Sequence, residues 1–160
     1  MIMQKKVSFF CIKAVERQSF DYDSQKPHYD SEFMSIHPDP KINRLNVLGE
    51  SLASCCDAPI TGYFRNGVCH TATTDLGQHT MCVLMTAEFL NYSQKVGNDL
   101  ITPLPEIDFP GLEPGDFWCI CVTRWVEAYQ AGIAPPIKIH ACHQAVLSYV
   151  PIDVLMDYAV

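Results

Sequence analysis

Cys69, His79, Cys82, Cys119 and Cys121 are the residues whose types suit metal chemistry. Zinc takes Cys thiolate and His nitrogen, in a closed tetrahedron when structural and with an open position when catalytic. Cys82 follows His79 by three residues, and Cys119 and Cys121 share one face of an expected strand. The set converges if the two strands are neighbours, which makes zinc or another divalent metal the cofactor to expect. Neither interval is the paired C-x₂₋₄-C of a zinc motif. Small buried hydrophobes on two core strands would place the same residues there, because free Cys is among the most buried types.

The same stretch suits a thiol nucleophile. Cys69 stands beside His70, with Asp75 and His79 soon after. A reactive thiol needs a depressed pKa, which Arg65 or His79 supplies if close. Asp75 or Asp99 would then orient the imidazole. Sequence order alone gives no catalytic residue.

A third constellation is polar: Arg65, Asp75, His79, Asn98, Asp99, Thr102, Asp116 and Arg124. Arg offers a planar donor fork for carboxylate or phosphate. The structural alternative is that Asn98 and Asp99 satisfy a turn and Asp116 pairs with Arg124.

The elements that must hold these groups follow from periodicity and turn residues. Residues 79–85 form an apolar strand. Thr86 is an N-cap with Glu88 in the first turn, and Phe89, Tyr92 and Val96 follow at helical spacing up to Gly97. Residues 117–123 form a strand with two apolar faces, hence a central one. Trp125, Ala128 and Tyr129 mark a short helix ended by Gly132. Pro135 and Pro136 open a strand over 137–141. A helix near 143–149 comes next, and Pro151 opens a last helix. Arg65-Asn66-Gly67 between short runs predicts a hairpin. Residues 97–116 hold four prolines and three glycines, and so form a long loop, a kind that is often functional.

Residues 1–44 differ from the rest: one short apolar run at 7–12, a polar stretch, then HPDPKIN. They read as an extension or linker, with a single α+β domain over 45–160. The expected fold is a small mixed or antiparallel sheet with helices packed against it.

Composition narrows the function. The 160 residues are 48% hydrophobic, enough for a core, and the net charge is −7. Lys and Arg form no run, so neither nucleic acid nor an anionic membrane is an expected partner. A small molecule is possible, and the oligomeric state is open. The start imitates a signal peptide only at Lys5 and Lys6, and no cleavage site follows. A cytoplasmic location is expected, and with it reduced thiols among the eight cysteines.

The stretches NVLGESL, TGYFRNGVC, DLGQHTMC, GNDLITPLP and FPGLEPGDFWCICVTRW, with the later APP, resemble a family of small, mostly bacterial proteins, the domain of unknown function (DUF) 2237 family. The resemblance covers about Asn46 to Val160. Its pattern falls on Arg65, Cys69, Asp75, His79, Cys82, Asn98, Asp99, Thr102, Asp116, Cys119, Cys121 and Arg124. It departs at Cys142, where the pattern has Thr, which weakens any metal site built there. The resemblance implies no established activity. The leading expectation is a small-ligand or metal-binding protein, enzyme or not, with a Cys/His/Asp-lined pocket. The alternatives are a protein-interaction module without catalytic chemistry and a thiol redox or sensor protein.

Overall fold

Thr86 starts the first α-helix among the described residues in the way its side chain dictates. Its hydroxyl accepts from the Phe89 amide at 3.1 Å, and Glu88 lies in the first turn against the helix dipole. This helix, α1, runs over Ala87–Lys95, and Gly97 leaves it at φ 85°. The computed structural model describes residues 44–160. Residues 1–43 of the expected extension over 1–44, with its expected strand at 7–12, lie outside the described residues.

The fold is α+β. Strand β1, Met81–Leu84, pairs antiparallel with β2, Phe117–Ile120. Helix α2 covers Val122–Gln130 and α3 covers Ile152–Asp157. The register sets Cys82 opposite Cys119 and Val83 opposite Trp118. Opposed residues in an antiparallel pair project to the same face, so Cys82 and Cys119 share one.

Both strands are shorter than their apolar runs, and β1 rather than β2 is central. On its far side β1 meets Ile137 through a single bridge, with Leu84 N donating to Pro136 O at 2.8 Å and Lys138 N to Cys82 O at 2.9 Å. On the outer side of β2, the buried Thr61 hydroxyl accepts from the Cys119 amide at 2.8 Å. A side chain does there what a third strand would do, which is why two apolar faces did not imply a central strand.

The segment after Pro136 makes that one bridge at Ile137 and then turns into a 3₁₀ helix over Ile139–Ala141, not a strand. The helix expected near 143–149 is a 3₁₀ helix over Gln144–Ser148. No hairpin forms around Asn66-Gly67. Residues 62–65 are consecutive turns, with Arg65 itself at φ 53°. Gly62 explains the tightness. Its φ is 94°, and a Cβ there would sit 2.4 Å from Val68 O.

The 97–116 segment folds back on itself. Leu104 and Phe109 bridge across a 3₁₀ turn at Pro105–Ile107, and Leu112 N donates to Leu100 O at 2.9 Å. Between sheet and helices lie Met81, Met85, Phe89, Leu112, Trp125, Ile137 and Leu155, all fully buried. The Trp125 indole donates to Pro135 O at 3.0 Å, which satisfies the one polar atom such a core residue brings. No helix among the described residues is long and apolar enough to cross a membrane.

Candidate functional site

Disulfides shape the site before any polar group does. Cys55 is bonded to Cys82 and Cys69 to Cys119. Cys121 is disulfide-bonded as well. Cys56 and Cys142 carry free thiols. The expectation of reduced thiols is corrected here. The register places Cys82 and Cys119 side by side, and the 51–69 segment brings one partner to each, with Cys α-carbons 5.7 and 5.4 Å apart. Cys142 is buried, and burial pushes its thiol up to about 12, so it stays protonated and inert.

A cleft of about 70 Å³ lies along β2, walled by the 98–109 loop and by the turn at Gly62–Arg65. That is room for a few water molecules, so it fits a small group rather than a whole large ligand. Leu100, Leu104, Ile107 and Phe109 give it an apolar side. Arg65 closes another edge, its guanidinium 5.1 Å from the Trp118 ring centroid. Burial lowers the Arg65 pKa and Asp108 pulls it back up; the group stays charged.

His79 also faces this cleft. Its Nδ1 is 2.7 Å from Asp75 Oδ1, and its Nε2 is 3.4 Å from Cys121 Sγ. Asp75 is fully buried at its side chain and His79 is 12% exposed. The second Asp75 oxygen accepts from the His79 amide at 2.8 Å and from the Thr71 hydroxyl at 3.0 Å. Burial alone would raise the Asp75 pKa, but the hydrogen bonds and charge of His79 hold it below the usual range. Ionised Asp75 accepts from the Nδ1–H of the ring, which leaves Nε2 as the nitrogen that faces the Cys121 sulfur. Tyr63 stacks on the imidazole, with centroids 6.0 Å apart. Cys121 occupies the N-cap of α2, where the helix dipole favours a thiolate.

The family model for uncharacterized proteins conserved in bacteria matches residues 45–159. The chain belongs to the DUF2237 family. No curated protein matches it.

Of the residues singled out in this DUF2237 chain, Arg65, His79, Asn98, Asp99, Cys119 and Cys121 line the one cleft. Asp75 stands behind His79, and Cys69 behind Cys119. Cys82 is bonded to Cys55 instead. Asp99 turns its carboxylate on its own loop. Oδ1 accepts from the amides of Ile101 and Thr102, and Oδ2 from the Thr102 hydroxyl and the Gln94 amide. Burial pushes the Asp99 pKa up, and these bonds together outweigh it and hold the value down to about 2. Thr102 serves that turn and does not line the cleft. Asn98 is buried and donates to Ser93 Oγ at 2.9 Å. Asp116 accepts from Glu113 N at 2.8 Å and lines a second hollow, with Pro59 and Pro110. Arg124 pairs with Glu127 at 2.9 Å, not with Asp116.

Sequence reasoning missed Tyr63, Trp118 and Cys55 as parts of this region. Trp118 alternates with Cys119 on a strand and reads as core, and nothing in a linear pattern says that Arg65 reaches its ring. For Cys55 a signal existed, a cysteine next to Cys56 in a segment that holds Pro59, but its bond partner is 27 residues away.

Proposed function

We propose that the DUF2237 cleft is a small-ligand site with thiol–disulfide chemistry, and that the Cys121 sulfur is its reactive centre. The chain of contacts from Asp75 through His79 to Cys121 Sγ carries the reading. In the exchange step, an incoming small thiol gives its proton to His79 Nε2 and attacks the sulfur bonded to Cys121. The S–S bond breaks, and Cys121 leaves with the electron pair as a thiolate. A new disulfide forms on the incoming sulfur, so the incoming thiol is oxidised and Cys121 reduced. The imidazolium and the α2 N-terminus then stabilise the thiolate, while ionised Asp75 stabilises the imidazolium. Arg65 at the rim suits a ligand with a carboxylate or another anionic group.

A cytoplasmic location fits an exchangeable bond at Cys121. It requires the two other disulfides to resist the thiol pool there, and their sulfurs belong to residues at most 4% exposed.

The test is alkylation of the reduced chain with iodoacetamide at neutral pH, followed by peptide mass mapping. Cys121 is expected to react before Cys56, although Cys56 is the more exposed. His79→Ala should slow Cys121 about tenfold for each pKa unit that the imidazole contributes. Equal rates at Cys121 and Cys56, or an unchanged rate in His79→Ala, would sink the proposal.

A further inference from the structure

The two disulfides at the sheet face are close neighbours. The sulfur atoms of Cys55, Cys69 and Cys119 all lie within 4.8 Å of one another, and the Cys82 sulfur is bonded to that of Cys55. Four sulfurs therefore occupy one buried patch, two from opposed positions of β1 and β2 and two from the segment folded over them. Cys55 N donates to Gly67 O at 2.8 Å, two residues before Cys69, which ties together the two loop stretches that carry these cysteines.

We infer that these two disulfides are the oxidised form of a four-cysteine metal site. When both are reduced, Cys55, Cys69, Cys82 and Cys119 bind one zinc ion. A tetrahedral zinc with Zn–S of about 2.3 Å needs sulfurs about 3.8 Å apart. The Cys55, Cys69 and Cys119 sulfurs already lie within 4.8 Å of one another, so the Cys69–Cys119 pair has to open by less than the width of one atom, and the Cys82 sulfur has to swing in as its bond to Cys55 opens. The reduction is balanced by a dithiol: each disulfide takes two electrons and two protons, and each dithiol molecule becomes a disulfide. Zinc then displaces the thiol protons, leaving a tetrathiolate of net charge −2. Lys138 supplies a cation beside it, with Nζ donating to Cys55 O at 3.3 Å and its amide donating to Cys82 O at 2.9 Å. His79 takes no part, because its two nitrogens face Asp75 and Cys121. The inference is thus independent of the cleft chemistry proposed above.

The experiment titrates Co²⁺, then Zn²⁺, into the full chain after anaerobic reduction and removal of the reductant. The expected result is one Co²⁺ per chain with the visible bands of a tetrahedral all-thiolate site, displaced by zinc. His79→Ala and Cys142→Ser should give the same bands, and Cys55→Ser should lose them. If the reduced chain unfolds without metal, zinc should restore the near-ultraviolet circular dichroism of the fold. The inference is overturned by a reduced, folded chain that binds no Co²⁺, by an unfolded one that zinc does not rescue, by bands that survive Cys55→Ser, or by bands that change in His79→Ala. Where Cys55→Ser does not fold, the charge-transfer intensity of the wild-type Co²⁺ complex decides, since it scales with the number of thiolates.

Discussion

Asp75 sits wholly inside the protein and spends both oxygens on His79 and Thr71. Replacing it with Asn removes the charge that stabilises an imidazolium while keeping the shape. Asp75→Asn should therefore slow Cys121 alkylation about as much as His79→Ala does, which the same mass mapping reads. Asp99 differs, because its bonds end within its own loop. Asp99→Ala should cost about 1 kcal/mol of stability, as loss of a capping carboxylate does, and leave Cys121 reactivity unchanged. Urea unfolding measures the first and alkylation the second. Both carboxyls have folded pKa values below their ordinary value of 3.8. The stability they contribute is thus fully present above the unfolded pKa, and is lost as pH falls through the folded value, about 2 for Asp99. The fall in urea midpoint between pH 3.8 and 2 should be smaller in Asp99→Asn than in the wild type.

The elements that carry these residues depend on local chemistry that single substitutions reach. Thr86→Ala removes the acceptor for the Phe89 amide and should cost about 1 kcal/mol. Gly62 and Gly111 are less replaceable. Each has positive φ, and a Cβ would lie 2.4 Å from Val68 O in one case and 2.3 Å from Ile101 O in the other. Backbone oxygens cannot swing aside, so Gly62→Ala or Gly111→Ala should cost about 3 kcal/mol. The Gly62 turn is a cleft wall, so in Gly62→Ala a thermal melt should fall together with the selectivity of Cys121 alkylation over Cys56, whereas Gly111→Ala should lower the melt alone. Unchanged melting in either variant would mean that the turn relaxes more freely than its geometry suggests.

For the molecule as a whole, the disulfides compensate for modest regular structure. The described residues contain one two-stranded sheet and three α-helices, the longest nine residues. The Cys55–Cys82 and Cys69–Cys119 bonds span 27 and 50 residues. Loop-closure entropy puts them at about 3.5 and about 4 kcal/mol. Domains of this size are stable by about 5–15 kcal/mol in all, so losing one bond is serious and losing both approaches the whole. Cys69→Ser/Cys119→Ser should lower the urea unfolding free energy by about 4 kcal/mol. Reducing both bonds without metal should unfold the chain or leave it marginal, a state in which zinc binding would show most clearly.

Short-range signals settled much of this protein in advance. Thr86 at an N-cap, Gly97 after a helix, the apolar runs at 79–85 and 117–123 that hold the two strands, and the family pattern over about 46–160 were all legible, because each depends on neighbours in the chain. Aspects of the site were legible too: the residue types at 65, 79, 98, 99, 119 and 121 announced polar and thiol chemistry. What they do together was not. Asp75, His79 and Cys121 form one relay only because a turn at 75–79 sets two of them against a strand end 42 residues away. Cys82 and Cys119 became half-cystines because register placed them opposite one another and a distant loop folded over both. Thr61 took the place of a third strand, which no periodicity could announce. Local conformation is written in adjacent residues. Bond partners, burial and the company a thiol keeps depend on which segments pack together, and packing alone decided those.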